Sequence, residues 1–370
     1  MIDIERNNSE SIRLLKNAYR RRGVFLVLGA GVSFASGLPA WQELLHRLFS
    51  SCYPDPDPAL FVKLTQAGMP LTVLASLLEE TARNRGAVQA PRETFTELVR
   101  QSLYRDFEWF PDGVSREREA EFANTTDIQN TTLRAVSAFC VSRSHDNGAF
   151  VPNPQVKGVV TFNLDALLQN HSLAKYCAEP PRKRILRTVE RPSAGSRSDK
   201  ISVYHVHGYM RFDRQAADLR KNAPDQMVLT EQDYFDAFND PTRLFNYTFL
   251  HLLREHSAVF VGLSMQDENL RRLLHYSKME RRRALVAEGM AASRIRRRVV
   301  RHVALMLRSP DPDITRAYEL TFTPLGVRVL WLRSHDEIPD YLEAVYSASG
   351  EAWSDVYGSR REGDGWRRSG

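Results

Sequence analysis

Short, uninterrupted apolar runs constrain the fold of this chain more than any other feature. The first, Val24-Phe25-Leu26-Val27-Leu28, shows no alternation of apolar and polar residues. That is the pattern of a strand buried on both faces, as in a parallel sheet. Similar runs recur at 158–161, 201–204, 258–261, 303–306 and 327–332. Helical patterns separate most of them, beginning with an amphipathic stretch over 8–22 in which Ile12, Leu15 and Tyr19 fall at helical spacing. The alternation predicts an α/β fold whose parallel sheet has about six strands flanked by helices.

The chain has 370 residues, enough for one large domain or two ordinary ones. Residues 1–350 read as one domain. The stretch from about 42 to 150 differs in character, with helical segments near 42–50, 71–85, 92–104 and 130–141. Pro54, Pro56, Pro58 and the charged segment 105–121 break it. It reads as a helical insertion between the first and second core strands. Segments 190–200 and 211–226 read as loops. Residues 351–370, richest in Gly, Arg and Ser from 358 onward, are expected to form a disordered tail.

Composition excludes several classes. No apolar run approaches the ~18–20 residues of a membrane span, and residues 1–22 lack an apolar signal core. Cys52, Cys140 and Cys177 are too few for a disulfide framework or a four-cysteine zinc site. A cytoplasmic setting and no bound metal are expected. The net charge is +6, and it is local: residues 271–308 hold eleven arginines and Lys278 against Glu280 and Glu288, a balance of +10. Such a block suits nucleic acid, an anionic cofactor or an acidic partner. It also suits a solvated helical face.

Four clusters follow four of the apolar runs. Gly29-Ala30-Gly31-Val32-Ser33 leads to Gly37-Leu38-Pro39. Its glycines permit a tight strand-to-helix turn, and equally the close approach of a diphosphate to a helix N-terminus. Thr161-Phe162-Asn163-Leu164-Asp165 suits a turn and helix cap, or a polar pair at a site. His205-Val206-His207-Gly208 places both histidines on one side of an extended segment. Gly262-Leu263-Ser264-Met265-Gln266-Asp267 is the fourth. In an open parallel sheet the carboxyl ends of the strands line one crevice, so the four clusters are expected to converge on one bound nucleotide.

Together these motifs resemble the sirtuin superfamily, and in particular its sirtuin-like NAD-hydrolase branch of bacterial anti-phage defence. Trp41 soon after Gly37-Leu38-Pro39, the segment Leu229-Thr230-Glu231-Gln232-Asp233-Tyr234, and the spacing from Gly262 to Leu270 extend the likeness. The resemblance covers roughly residues 20–335 and implies a Rossmann-like sheet with NAD as substrate. It implies that Gly29, Ala30, Gly31 and Ser33 bind the diphosphate, and that Asn163 and Asp165 lie near the nicotinamide ribose. It makes His207 the catalytic histidine and turns Gly262 and Ser264 toward the adenosine half. Departures from the deacylase sirtuins are Ala40-Trp41-Gln42 in place of Asp-Phe-Arg, Phe162 in place of Gln, and the missing four-cysteine zinc module. They weigh against an acyl-lysine substrate.

The nicotinamide–ribose bond breaks through an oxocarbenium-like transition state. An ionised Asp165 would stabilise its charge, Asn163 would hold a ribose hydroxyl or the attacking water, and His207 would accept a proton. His205 is either a rival base or a packed strand histidine. Trp41 either covers the nicotinamide side or belongs to the core. The leading expectation is an NAD glycohydrolase that depletes NAD in abortive infection, restrained by self-assembly into a homo-oligomer or by a partner. The resemblance names a HerA-type hexameric ATPase as that partner. Alternatives are a non-catalytic NAD or ADP-ribose binder and a nucleic-acid-associated subunit using 271–308.

Overall fold

The computed structural model describes residues 3–53, 58–85, 91–107, 115–177, 183–190, 199–212, 227–239 and 244–358. The strands are β1 (Val24–Leu28), β2 (Val141–Arg143), β3 (Phe150–Pro152), β4 (Val156–Thr161), β5 (Leu186–Val189), β6 (Ile201–His205), β7 (Ser257–Val261), β8 (His302–Leu307) and β9 (Val327–Leu332). Seven of them form a parallel sheet in the order β5-β6-β4-β1-β7-β8-β9, and β2 and β3 pair as a small antiparallel ribbon. Helices flank the sheet on both sides, a Rossmann-like arrangement.

The apolar run of β1 is explained by its central place. Val24, Leu26 and Leu28 pack into one core layer and Phe25 and Val27 into the other. The first layer is closed by the helix Ile4–Arg22, the helices between β1 and β4, and the C-terminal helices. The second is closed by the helices Leu244–Glu255, Glu268–Ala287 and Pro312–Phe322. Each β1 residue is fully buried, so neither face can carry a polar side chain cheaply. The edge strand β9 is covered by the first helix. Asn7 Nδ2 donates to Val329 O at 2.7 Å, and Asn8 exchanges hydrogen bonds with the backbone of Trp331 at 2.8 Å. These side chains satisfy an edge that would otherwise invite another strand.

Among the described residues, six α-helices lie between β1 and the β2–β3 ribbon: Trp41–Cys52, Pro58–Gln66, Leu71–Arg85, Pro91–Leu103, Arg116–Gln129 and Thr131–Phe139. Two of them depart from the sequence expectation. Pro58 starts a helix rather than breaking one, because the first helical position needs no N–H donor. Arg116–Gln129 forms where a charged break was expected; of its residues only Ala123 and Thr126 are buried, so no apolar period announces it. The edge strand β5 was also not foreseen, since Arg187 and Thr188 interrupt its burial.

The expected tail is corrected in its first part. Residues 351–358 are packed: Trp353, Val356 and Tyr357 are buried, and Arg134 donates to Tyr357 O at 2.8 Å. Residues 359–370 lie outside the described residues, as do 191–198 and 213–226 of the two expected loops. Among the described residues no helix is long and apolar enough to cross a membrane, and no group of His, Cys, Asp and Glu is placed to hold a metal ion. The three cysteines are buried and none is in a disulfide among the described residues.

Candidate functional site

β1 leads to β4 on one side and the later strands continue from β7 on the other, so the crevice opens between the carboxyl ends of β1 and β7. A cavity of about 490 Å³ lies there. Its wall includes Gly29, Ala30, Gly31, Ser33, Trp41, Asn163, Asp165, His207, Gly262 and Ser264, so every site residue expected from the sequence reaches one space. Leu38, Pro39, Leu44, Leu103 and Phe162 add an apolar side, and Tyr234, Gln266 and Asp267 a polar one.

The glycines bring two loops together. Gly31 N donates to Gly262 O at 3.0 Å, and Gly29 N to Val261 O at 3.1 Å. A Cβ on Gly262 would stand 2.6 Å from Val32 N, and one on Gly31 2.8 Å from Gly262 Cα. Gly262 also has φ +69°. The floor of the cavity is therefore bare backbone from two strand ends in contact. No α-helix follows Gly31 directly. Two 3-10 turns, Ala30–Val32 and Phe34–Ser36, come first, and the first α-helix starts at Trp41. This corrects the expectation of a helix N-terminus at the glycines. Met265, buried at φ +60°, adds a strained backbone position to the second loop.

The polar side is built around Ser33. Ser33 Oγ donates to Asp165 Oδ2 at 2.7 Å, and Asn163 Nδ2 donates to Ser33 Oγ and to Gly29 O, both at 3.1 Å. Asp165 Oδ1 accepts from Leu167 N at 3.0 Å. Burial pushes the Asp165 carboxyl above its ordinary range, and the Ser33 and Leu167 bonds pull against that. Asn163 N is held by Thr161 Oγ1 at 3.1 Å.

The two histidines diverge. β6 ends at His205 and the chain turns at once, through Gly208 at φ +101°. The extended alternation expected from the sequence does not continue, and His205 is absent from the cavity wall. His205 Nδ1 lies 3.1 Å from Asn163 O, and Nε2 2.6 Å from Gln169 Nε2. Burial drives its imidazole down to about 4, so it is a neutral packed histidine near neutrality. His207 faces the cavity between Phe162 (ring centroids 5.0 Å) and Tyr234 (5.6 Å), with Nε2 3.8 Å from Asp267 Oδ2. Burial pushes its imidazole below the ordinary value, while Asp267 and Asp233 oppose the shift.

The Leu229–Tyr234 segment has a local explanation. Thr230 Oγ1 accepts from Asp233 N at 3.2 Å, and Asp233 Oδ2 accepts from Leu229 N and Thr230 N at 3.0 and 2.9 Å. This reciprocal cap starts the helix Glu231–Asn239 and delivers Tyr234 to the cavity.

Two supporting residues escaped the sequence. Asn130, fully buried, caps the helix Thr131–Phe139 through Leu133 N at 2.9 Å. Its Nδ2 donates to Val32 O and Ser36 Oγ, both at 2.8 Å, which clamps the glycine turn. Tyr104 donates to Met210 O at 2.8 Å and accepts from Ala166 N at 3.3 Å, tying the helical region to both strand-end loops. Neither lies in a motif; Asn130 is visible only as an Asn before an apolar helical run.

The arginine-rich block occupies the helices Glu268–Ala287 and Ala292–Arg298 and the start of β8. Arg281 Nε donates to Arg298 O at 2.9 Å, and Arg301 to Arg254 O and Glu255 O at 2.7 and 3.0 Å. Arg282, Arg283, Arg294, Arg296, Arg297 and Arg298 are exposed. Their stretch precedes β8, at the amino end of the parallel sheet, opposite the carboxyl ends that carry the cavity.

No curated protein matches the chain. Residues 157–319 match the SIR2-like domain. The matched stretch contains Asn163, Asp165, His207, Gly262, Ser264 and Asp267, and the glycine turn of β1 precedes it. The segment from β4 into the helix Pro312–Phe322 is thus similar to SIR2-like domains.

Proposed function

We propose that the chain is an NAD glycohydrolase that releases nicotinamide and ADP-ribose. The observation that carries this reading is the convergence of a bare backbone floor, the Ser33–Asn163–Asp165 network and His207 on one cavity of about 490 Å³. That volume suits a small ligand, typically about 300–1,000 Å³. The missing side chains at Gly29 and Gly31 on the cavity wall let a diphosphate approach the backbone closely. Cleavage needs no proton on the leaving nicotinamide, which departs neutral from a cationic ring. The protein's part is to hold the ribose, stabilise its developing charge and take a proton from water or a ribose hydroxyl. His207 takes that proton, its imidazole being uncharged near neutral pH. Asn163, whose amide N–H groups are held by Gly29 and Ser33, presents its carbonyl to a hydroxyl or water. Asp165 orients Ser33 rather than standing as a free anion, because both its oxygens accept hydrogen bonds. Trp41 closes the apolar side with Leu38 and Pro39.

The physiological role we attach to this activity is NAD depletion in anti-phage defence. It rests on the resemblance of the motifs. Control by a homo-oligomer or a HerA-type ATPase rests on the same ground, and the exposed arginines opposite the cavity offer a face for an acidic partner or nucleic acid. Binding to DNA that weakens steeply with salt supports the nucleic-acid reading; absence of binding at physiological salt removes it.

The test is nicotinamide release from NAD, alone and with a co-purified partner. Asn163→Ala and His207→Ala are expected to lower turnover at least about 100-fold with the fold retained. Wild-type turnover in both variants contradicts the site. NAD binding without release under either condition favours a non-catalytic NAD or ADP-ribose binder.

A further inference from the structure

His207 stands beside a carboxylate that the cavity holds in place. Asp267 Oδ2 accepts from the Tyr234 hydroxyl at 3.2 Å and lies 3.8 Å from His207 Nε2. Asp267 Oδ1 accepts from Leu270 N at 2.7 Å, so the residue also caps the helix Glu268–Ala287. Both oxygens are thus oriented by fixed donors on two different helices. The Tyr234 ring packs edge-on against the imidazole at 5.6 Å, and Phe162 closes its other side at 5.0 Å. Among the described residues the other charge acting on His207 is Asp233, whose carboxylate is engaged by Leu229 N and Thr230 N.

We infer that Asp267, held by Tyr234, is the charge partner of His207. Resting on the hydrolase reading above, it compensates the imidazolium formed when His207 accepts a proton. In that step an O–H bond of water or of a ribose hydroxyl breaks and an N–H bond forms on His207. The positive charge appears on an imidazole whose side chain is only 18% exposed, where an isolated imidazolium is costly. A carboxylate within about 4–6 Å offsets that cost. At 3.8 Å the pair is beyond hydrogen-bond length, and a contact of this kind tightens when substrate excludes water. Asp267 acts through His207, so it is a positioning residue.

The helix-cap role and the charge role separate by substitution. Asn caps a helix about as well as Asp, so Asp267→Asn keeps the cap and removes the charge, whereas Asp267→Ala loses both. The experiment follows the His207 imidazole by NMR across pH in the intact protein, with His207→Gln assigning the signal. It is paired with the pH dependence of nicotinamide release. Asp267→Asn is expected to move the His207 midpoint and the acid limb of kcat to lower pH by about one pH unit. It is expected to lower kcat about tenfold with KM changed less than about twofold. Tyr234→Phe, which frees one carboxylate oxygen but keeps the ring, is expected to shift both in the same direction by less. An unmoved His207 midpoint in Asp267→Asn overturns the inference and leaves Asp267 as a cap alone. The NMR midpoint needs no turnover, so a wild-type protein that never releases nicotinamide sinks the hydrolase reading while the pairing is still decided.

Discussion

Gly262 is the residue on which the cavity floor turns. Its φ of +69° is open to glycine and costs an L-residue about 1–2 kcal/mol. A Cβ there would also meet Val32 N at 2.6 Å. Gly262→Ala is therefore expected to lower stability by at least about 2 kcal/mol and to abolish NAD binding, read by denaturant unfolding and by calorimetry. The glycine clusters were legible in the sequence as a site. Their physical purpose was only half legible, because a contact between two loops more than 200 residues apart leaves no local signal. His205 is a second case. It was expected to share a face with His207, and the end of β6 between them separated their roles. Its imidazole falls to about 4 in the fold, below its unfolded value of about 6.5. A base with a depressed folded pKa contributes fully above the unfolded value and loses that contribution as pH falls toward the folded one. Stability should thus fall between about pH 6.5 and 4, with His205 responsible for about 3 kcal/mol. Buried His171 and His302 act in the same direction. Urea unfolding across that range should show a shallower pH dependence in His205→Gln.

Elements hold these residues in register. The two 3-10 turns after β1 have few bonds of their own, and Asn130 supplies the clamp from the start of the helix Thr131–Phe139. Asn130→Ala removes a cap and leaves Val32 O buried without that donor. The expected loss is about 2–4 kcal/mol, with KM for NAD rising more than kcat falls. Steady-state kinetics and thermal melts check both parts. β1 itself was readable because its apolar run belongs to a strand covered on both faces. β5 and the helix Arg116–Gln129 were not, since one is an interrupted edge strand and the other buries only Ala123 and Thr126. Phe25→Ala opens a void in the layer closed by Phe249, which packs edge-on at 6.0 Å. It should cost about 3–5 kcal/mol in equilibrium unfolding.

At the scale of the whole molecule, the order of strands decides where chemistry can occur. β1 sits at the centre, and the switch between β4 on one side and β7 on the other opens the crevice that the motif clusters line. That convergence was legible, since each cluster follows a recognisable strand. The C-terminal packing of Trp353 and Tyr357 against the first core layer was hidden by the polar composition around it. The arginine-rich stretch lies at the amino end of the sheet, away from the carboxyl ends that carry the cavity, so a partner proposed to bind there would leave the cavity open. The most direct measurement is nicotinamide release from NAD by the purified protein and by its co-purified complex, each beside His207→Ala. Release is expected in at least one wild-type preparation and is expected to be lost in the variant. Release that persists unchanged in His207→Ala, or NAD left intact in every preparation, contradicts the hydrolase reading.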